Sequence, residues 1–155
     1  MAWQQHLAFL PGLWSGLGVR ANYSYTTSSA SVPGRTDDPA LLRQAPNNWN
    51  LDGTYDRGGL SARVGVTHND GNIYAYNYRP GADGGITGPN GDQYLYAHTQ
   101  VDAQASYAVN RRVQIVLSVL NLNNEVFGFY QGGTQYPIQR EFYKRTLSIG
   151  MRVNR

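Results

Sequence analysis

The feature that most constrains the fold is a two-residue alternation of apolar and polar side chains along most of the chain. Successive side chains of a β-strand point to opposite faces, so this alternation predicts strands with one apolar and one polar face. The clearest stretch, Leu95–Val109, is longer than the roughly 5–6 residues of a usual globular strand. We predict about seven strands and no helix. The other six predicted strands are 3–9, 17–26, 48–55, 60–67, 113–122 and 146–153.

The connections between these strands alternate strictly between short and long. Short links fall near 10–12, 56–59 and 110–112, and long links near 27–47, 69–94 and 122–144. Up-and-down barrels of the bacterial outer membrane have this arrangement, with tight periplasmic turns and long external loops. No stretch approaches the roughly 20 apolar residues of a membrane-spanning helix. The sequence therefore predicts an all-β fold, an antiparallel up-and-down meander that forms a segment of a large transmembrane β-barrel.

The composition argues against several classes of function. The chain has no cysteine, which excludes disulfides and zinc–thiolate sites. His6, His68 and His98 lie on different strands or loops without metal-ligand spacing. No serine lies in a nucleophile-elbow sequence and no pair of carboxylates stands out, so we predict no enzymatic activity and no cofactor. The net charge of +3 is modest and the basic residues are scattered, so nucleic acid is not an expected partner.

Three segments carry a resemblance to a known family. They are Gln44–Leu51, Asn121–Glu125 and Glu141–Arg152. Together they resemble the C-terminal β-barrel of TonB-dependent outer-membrane receptors. In that family the penultimate strand ends in an Asn-Leu-x-Asn-x motif, and a long external loop leads to an alternating final strand. The resemblance spans essentially the whole chain, although the ending Val153–Arg155 departs from the aromatic residue on which the family usually closes.

The resemblance implies energised uptake of a scarce nutrient, such as a siderophore, cobalamin or a glycan, across the outer membrane of a bacterial cell. Receptors of this kind are barrels of about 22 strands with a plugged lumen. Residues 1–155 are then the last third of the barrel, and the plug and earlier strands are expected upstream of Met1. The expected partners are outer-membrane lipid, the rest of the barrel and its plug, the TonB complex indirectly through that plug, and a small-molecule nutrient.

Two sets of residues are candidates for the functional site. The polar strand faces would point into the lumen, where charge is tolerated, whereas charge facing lipid costs about 2–4 kcal/mol at the midplane. These residues would bind the plug, line a substrate path, or simply supply lumen polarity. Candidate lumen-facing residues are Arg20, Asp52, Arg63, His98, Asp102, Gln104 and Arg152. Candidate ligand contacts in the external loops are Tyr74, Tyr76, Tyr78, Arg79, Phe129 and Tyr130.

Two other classes of protein remain open from the sequence. One is a small stand-alone outer-membrane barrel or adhesin, which needs an eighth strand and an export signal. Met1–Leu10 has neither the basic nor the apolar region of such a signal. The other is a soluble carbohydrate-binding β-sandwich, which needs shorter strands and two apolar inner faces.

Overall fold

A computed structural model describes residues 1–153, which form two antiparallel β-sheets. These residues contain no α-helix, only two short 3-10 turns at Gly12–Gly16 and Gly85–Thr87. The eleven strands are β1 (Ala2–His6), β2 (Leu17–Tyr25), β3 (Asn47–Arg57), β4 (Leu60–Asn69), β5 (Asn72–Ala75), β6 (Gln93–Leu95), β7 (His98–Ala108), β8 (Val113–Leu120), β9 (Phe127–Gln131), β10 (Pro137–Glu141) and β11 (Thr146–Val153). The all-β, antiparallel fold predicted from the sequence is confirmed.

The large sheet is a meander of seven strands in the order β1-β2-β3-β4-β7-β8-β11. Its register keeps the predicted apolar positions together across the strands. One row joins Leu17, Tyr55, Ala62, Ala105, Leu117 and Ile149. Because β3 and β7 have eleven residues each, the longest strands match the roughly 9–11 that a tilted strand needs to cross a bilayer.

The apolar face of the large sheet is largely uncovered. Leu51, Val64 and Leu117 lie on inner strands, yet they are 46%, 50% and 42% exposed. On the edge strand β11, Ile149 is 79% exposed. Among residues 1–153, Ile73 is the only buried hydrophobic side chain, and it is 8% exposed. The large sheet therefore presents a broad apolar surface rather than burying it in a core.

The small sheet, in the order β10-β9-β6-β5, is built from two of the long links. The prediction of about seven strands, with no strand inside the long links, is therefore wrong, because β5, β6, β9 and β10 lie within these links. It is also wrong that Leu95–Val109 is one strand, because Leu95 belongs to β6 and β7 begins only at His98. Tyr96 still bonds to β9, since its N–H donates to the Gly128 carbonyl at 3.1 Å, whereas β7 pairs with β4 and β8.

The predicted strand over residues 3–9 is shorter than expected. β1 ends at His6, and the Leu10 N–H donates to the Leu7 carbonyl to close a turn. The short link therefore runs through residues 7–16, where Gly12 adopts a φ of +61° that favours glycine. Within residues 1–153, no helix is long and apolar enough to cross a membrane. The departure from the family's aromatic ending involves residues 154 and 155, which lie outside the described part.

The connections place all three long links at one end of the large sheet. Because neighbouring strands are antiparallel, the links between β2 and β3, β4 and β7, and β8 and β11 all lie at the same end of the strands. The three shorter links lie at the opposite end. We call the first of these the loop end; it holds the small sheet and most of the candidate loop residues.

Candidate functional site

The polar face of the large sheet holds a partly buried ion pair. Arg63 of β4 donates from Nε and Nη2 to the same carboxylate oxygen of Asp52 on β3, at 2.9 and 2.7 Å. The Asp52 side chain is 7% exposed, whereas that of Arg63 is 57% exposed. The Asp52 carboxylate is therefore buried, whereas the Arg63 guanidinium is exposed on the polar face.

Gly65 of β4 makes room for this ion pair. It lies opposite Asp52 in the register, and a Cβ atom added there would be 2.7 Å from the Asp52 Oδ1 atom. No real Cβ atom approaches an oxygen so closely, so any larger residue displaces the carboxylate. The absence of a side chain at Gly65 therefore belongs to the same arrangement as the Asp52–Arg63 pair.

Four of the seven predicted lumen-facing residues lie together around a cleft of about 320 Å³ on the polar face. They are Asp52, Arg63, Asp102 and Gln104. Asp102 accepts a hydrogen bond from the Asn121 backbone N–H at 2.8 Å and further bonds from the Gln100 amide. The cleft thus brings two carboxylates and one guanidinium together at the middle of the sheet.

The other three predicted lumen-facing residues lie elsewhere. Arg20 is opposite Asp52 in the register but does not line the cleft. Arg152 lies on the edge strand β11 opposite Gln114, toward the short links. His98 begins β7 at the loop end, where its ring meets Phe127 edge-on with centroids 5.8 Å apart. The seven residues therefore share one face without forming one site.

A buried ion cluster ties the long links together at the loop end. Arg35, from the first link, donates to Asp37 from Nε and Nη2 and to both carboxylate oxygens of Asp92, in the second link, from Nη1. The side chains of Arg35 and Asp92 are 3% and 0% exposed. The backbone N–H groups of Asn77 and Tyr78 also donate to Asp92. We call Arg35, Asp37 and Asp92 the loop ion cluster.

The loop ion cluster explains the position of three candidate ligand residues. The guanidinium carbon of Arg35 lies 5.6 Å from the ring centre of Tyr76 and 5.2 Å from that of Tyr78, within cation–π range. Arg79 is exposed beside them. Hydrogen bonding to Asp37 raises the pKa of Arg35 above its usual range. Tyr76 and Tyr78 therefore pack against the buried Arg35, and Arg79 is the most exposed of the three residues.

Acid is expected to loosen the loop end. The Arg35 hydrogen bonds lower the pKa of Asp37 below its usual 3.8, and bonds from Asn47 and then His68 lower that of Asp70. A depressed folded-state pKa stabilises the fold fully above pH 3.8, and this contribution disappears as the pH falls through the lower folded value. Hydrogen exchange should therefore show residues 35–37 and 70–72 ordered down to about pH 3.8 and opening below it.

The variant Asp37→Asn provides the control for this pH dependence. An asparagine at position 37 does not titrate, so the acid-induced opening of residues 35–37 should lose its pH dependence while that of residues 70–72 stays. If the pH dependence of hydrogen exchange at residues 35–37 were unchanged in this variant, Asp37 would not be the group that causes the opening.

The remaining aromatic candidates form two groups on the small sheet. Tyr94 and Tyr130 stack with ring centres 5.1 Å apart, and Tyr96 lies 4.6 Å from Tyr130. Burial raises the pKa of both Tyr94 and Tyr130. The second group joins Tyr74 to Phe129 and Phe129 to Phe127 by edge-on contacts at 4.9 and 5.4 Å. The predicted loop contacts are therefore divided among three clusters, including the two tyrosines beside Arg35.

The Asn-Leu-x-Asn-x segment has a clear structural role. Asn121 is 8% exposed; its side-chain oxygen accepts the Glu125 N–H, and its amide donates to the carbonyls of Glu125 and Lys144. Asn123 bridges to β7 through the Thr99 carbonyl and the Val101 N–H. Asn121 also adopts a φ of +55°, which asparagine tolerates better than most residues. This segment fixes how β8 leaves the sheet.

Asn121→Ala is expected to destabilise the link after β8 by about 2–4 kcal/mol. Three backbone groups, the Glu125 N–H and the carbonyls of Glu125 and Lys144, lose their partner. Each loss costs up to about 1–3 kcal/mol, and less where water reaches the group. Hydrogen exchange of residues 120–127 should therefore accelerate. Asn124→Ala is the matched control, because Asn124 has a φ of +56° but is exposed. Equal effects of the two changes would mean that the backbone conformation alone, and not the Asn121 side chain, holds the link.

A second cavity, of about 360 Å³, lies where the large sheet meets the small sheet on the polar side. We call it the junction cavity; its wall includes Gln44 from the first link, Asp70, Tyr96, His98 and Phe127. Two atoms of these lining residues, Gln44 Oε1 and His98 Nδ1, are themselves buried and have no hydrogen-bond partner. Within residues 1–153, no three histidine or acidic side chains converge as a metal-binding group.

Sequence reasoning missed Arg35, Asp37, Asp92 and Gln44. Asp92 lies in a link rich in turn-forming residues, and its carboxylate is bound by Arg35. Arg35 and Asp92 are 57 residues apart, so no local pattern could join them. The fold and these clusters define an all-β protein with two antiparallel sheets, the larger of which has one polar, partly charged face. The chain matches no family model, no curated protein and no solved structure.

Proposed function

We propose that this chain is the C-terminal barrel segment of a TonB-dependent outer-membrane receptor, which supplies barrel wall and external loops for the uptake of a scarce nutrient. The observation that carries the proposal is the single uncovered apolar face that runs across all seven strands of the large sheet. Val64, Leu117 and Ile149 lie on strands from the middle to the edge, and each is at least 42% exposed. Lipid is the solvent that suits such a face.

The strand directions support a larger barrel over a self-closed one. In a seven-stranded antiparallel meander, β1 and β11 run in the same direction. Joining these two edges would create a parallel pair, whereas outer-membrane barrels are antiparallel and have an even number of strands. An odd number of further strands is needed between them. This favours a segment of a large barrel over the stand-alone barrel or adhesin.

The position of aromatic side chains agrees with a membrane-spanning band. Tyr23 and Trp49 pair with each other on the apolar face near the loop end. Tyr107 lies on the same face near the short links, in a row with Leu60 and Arg57. From Trp49 to Arg57 is roughly 27 Å along the strand at about 3.4 Å per residue, close to the scale of an apolar band about 25 Å tall.

The soluble β-sandwich fits these features less well. A sandwich needs a second sheet packed over the apolar face of the first, about 10 Å away. Here the second sheet is built from links at the loop end, and the contacts between strands lie mainly within each sheet. The loop end instead carries the polar and aromatic groups expected of external loops that contact a small molecule.

The test is the intact mass of the gene product in outer-membrane fractions of the native host, detected with an antibody to the link over residues 131–140. The proposal predicts a protein several-fold larger than the 17.2 kDa of this chain, because a plug and earlier strands accompany it. A product near 17.2 kDa in the outer membrane would contradict the receptor and favour the stand-alone barrel. A product found only in soluble fractions would contradict both.

A further inference from the structure

We propose that the wall formed by the large sheet binds the headgroup of an anionic phospholipid through Arg57, Leu13 and Trp14. These residues lie at the short-link end, which is the end of the large sheet opposite the loop end. This inference rests on the proposed function and goes beyond it, because it assigns one class of lipid to one place on the wall. The observation behind it is an arginine on the apolar face. Arg57 ends β3 and follows Tyr55 by two positions, so strand alternation places both on that face.

The charge of Arg57 is exposed and is not balanced by a carboxylate. Its Nη1 atom donates to the Ser15 Oγ atom at 3.0 Å, which leaves other N–H groups of the guanidinium for a further acceptor. None of the ion pairs formed within residues 1–153 includes Arg57. Asp56, the acid next to it in the chain, is placed on the polar face by the alternation. A cation that faces lipid is costly at the midplane and cheap near the membrane surface, so Arg57 belongs at the level of the headgroups.

The 3-10 turn at Gly12–Gly16 packs against β3 beside Arg57. A Cβ atom added at Gly16 would be 2.8 Å from the Asp56 carbonyl oxygen, so only a residue without a side chain allows this approach. Ser15 accepts the hydrogen bond from Arg57 and donates its own to a carbonyl within the turn, at 3.0 Å. The position of the turn relative to the guanidinium is therefore fixed by close packing and by a hydrogen bond.

The exposed residues of this turn suit a membrane surface. Leu13 and Trp14 precede Ser15 directly, and they are 70% and 64% exposed. Tryptophan favours the headgroup level, where its ring meets apolar chains and its N–H finds polar acceptors. A guanidinium binds phosphate through parallel, charge-assisted hydrogen bonds. A phosphate on Arg57 with acyl chains against Leu13 and Trp14 describes a phospholipid rather than a free phosphate ion.

The charges at the short-link end favour an anionic headgroup over a zwitterionic one. The turn between β7 and β8 adds Arg111 and Arg112, which are both exposed. Basic residues near a membrane surface attract anionic lipids. A zwitterionic headgroup carries its own cation beside the phosphate and therefore gains less from these arginines. Because the proposed topology puts the short links at the periplasmic surface, the expected ligand is an anionic phospholipid of that leaflet, such as phosphatidylglycerol.

The experiment measures lipid binding to the full-length gene product, purified in detergent from outer membranes. The probes are phosphatidylglycerol and phosphatidylcholine with the same acyl chains, and the lipid molecules retained are counted by native mass spectrometry. We expect tighter binding of phosphatidylglycerol. Arg57→Gln, which removes the charge and keeps most of the side-chain length, should weaken that binding about fivefold. Trp14→Leu, which removes the ring, should weaken it as well.

Arg152→Gln is the matched control. Arg152 lies toward the same end of the strands, but the alternation along β11 places it on the polar face, so its loss should leave lipid binding unchanged. Inorganic phosphate at the same concentration should not displace the lipid, because it has no acyl chains to contact Leu13 and Trp14.

Equal binding of the two lipids, unchanged binding in Arg57→Gln, an equal loss in Arg152→Gln, or displacement by inorganic phosphate would each contradict the headgroup site. Equal outer-membrane levels and equal unfolding curves for parent and variants establish that a loss of binding is not a loss of folding. A protein that is recovered from the outer membrane but fails this test loses the headgroup site only. A product that never reaches the outer membrane contradicts the proposed function instead.

Discussion

Replacing Leu117 by arginine is expected to cost the barrel about 2–4 kcal/mol and to lower sharply the amount of protein in the outer membrane. Leu117 lies on β8 within the apolar face, between Ala105 of β7 and Ile149 of β11. It is 42% exposed in the chain alone, and in the proposed barrel its side chain would meet lipid. An arginine at the middle of the bilayer loses its hydration without gaining a partner.

Ser118→Arg is the matched control for this change. Ser118 is the next residue on the same strand, it points to the opposite face, and it lines the polar-face cleft with Asp52 and Asp102. A guanidinium there meets water and two carboxylates, so the variant should accumulate at the level of the parent. The measurement is the outer-membrane level together with unfolding by urea in lipid vesicles. If both variants behave alike, the two faces are not lipid and lumen.

Replacing Arg35 by methionine is expected to destabilise the loop end by about 3–5 kcal/mol, the usual cost of removing one partner of a buried ion pair. Asp92 is 0% exposed and keeps only the N–H groups of Asn77 and Tyr78 as donors once the guanidinium is gone. Because the first and second long links meet at this pair, both should open together. The measurement is protease cleavage of the long links on intact cells, where the proposed topology exposes them, supported by hydrogen exchange of residues 76–80.

Arg79→Met is the control, because Arg79 is a nearby exposed arginine with no ion pair among the described residues. It should leave the loops as resistant to protease as the parent. Asp92→Asn should loosen the loops as well but to a smaller extent, since Arg35 keeps Asp37 as its partner. Loops that stay resistant in both cluster variants would show that the small sheet, and not the loop ion cluster, holds the loop end together.

The faces of the large sheet were predictable because a two-residue period is a local property of the sequence. Ala62, Ala105 and Leu117 were placed on the apolar face by alternation alone, and the register brings them into one row. The position of the long links followed from the same reasoning, since every second connection of an antiparallel meander lies at the same end of the strands. The polar residues of the cleft, such as Asp52 and Asp102, were identified for this reason as well.

The loop end was not predictable in the same way, because its contacts are long-range. Tyr94 pairs with Tyr130 across the small sheet, although each lies in a different link rich in turn-forming residues. Arg35 and Asp92 meet only because the links fold over one another. The junction cavity likewise joins Gln44 to His98, which come from different elements. No periodicity or spacing in the sequence indicates these pairs.

The most direct test of the lipid-facing wall is a cysteine scan along β7, from Thr99 to Tyr107. The chain has no cysteine, so each introduced thiol carries a unique spin label. In the full-length protein in outer membranes, odd-numbered labels should be accessible to oxygen dissolved in lipid, and even-numbered labels to a water-soluble relaxing agent. Odd-numbered labels protected from oxygen, or reached by the water-soluble agent as readily as their neighbours, would contradict the membrane-spanning barrel.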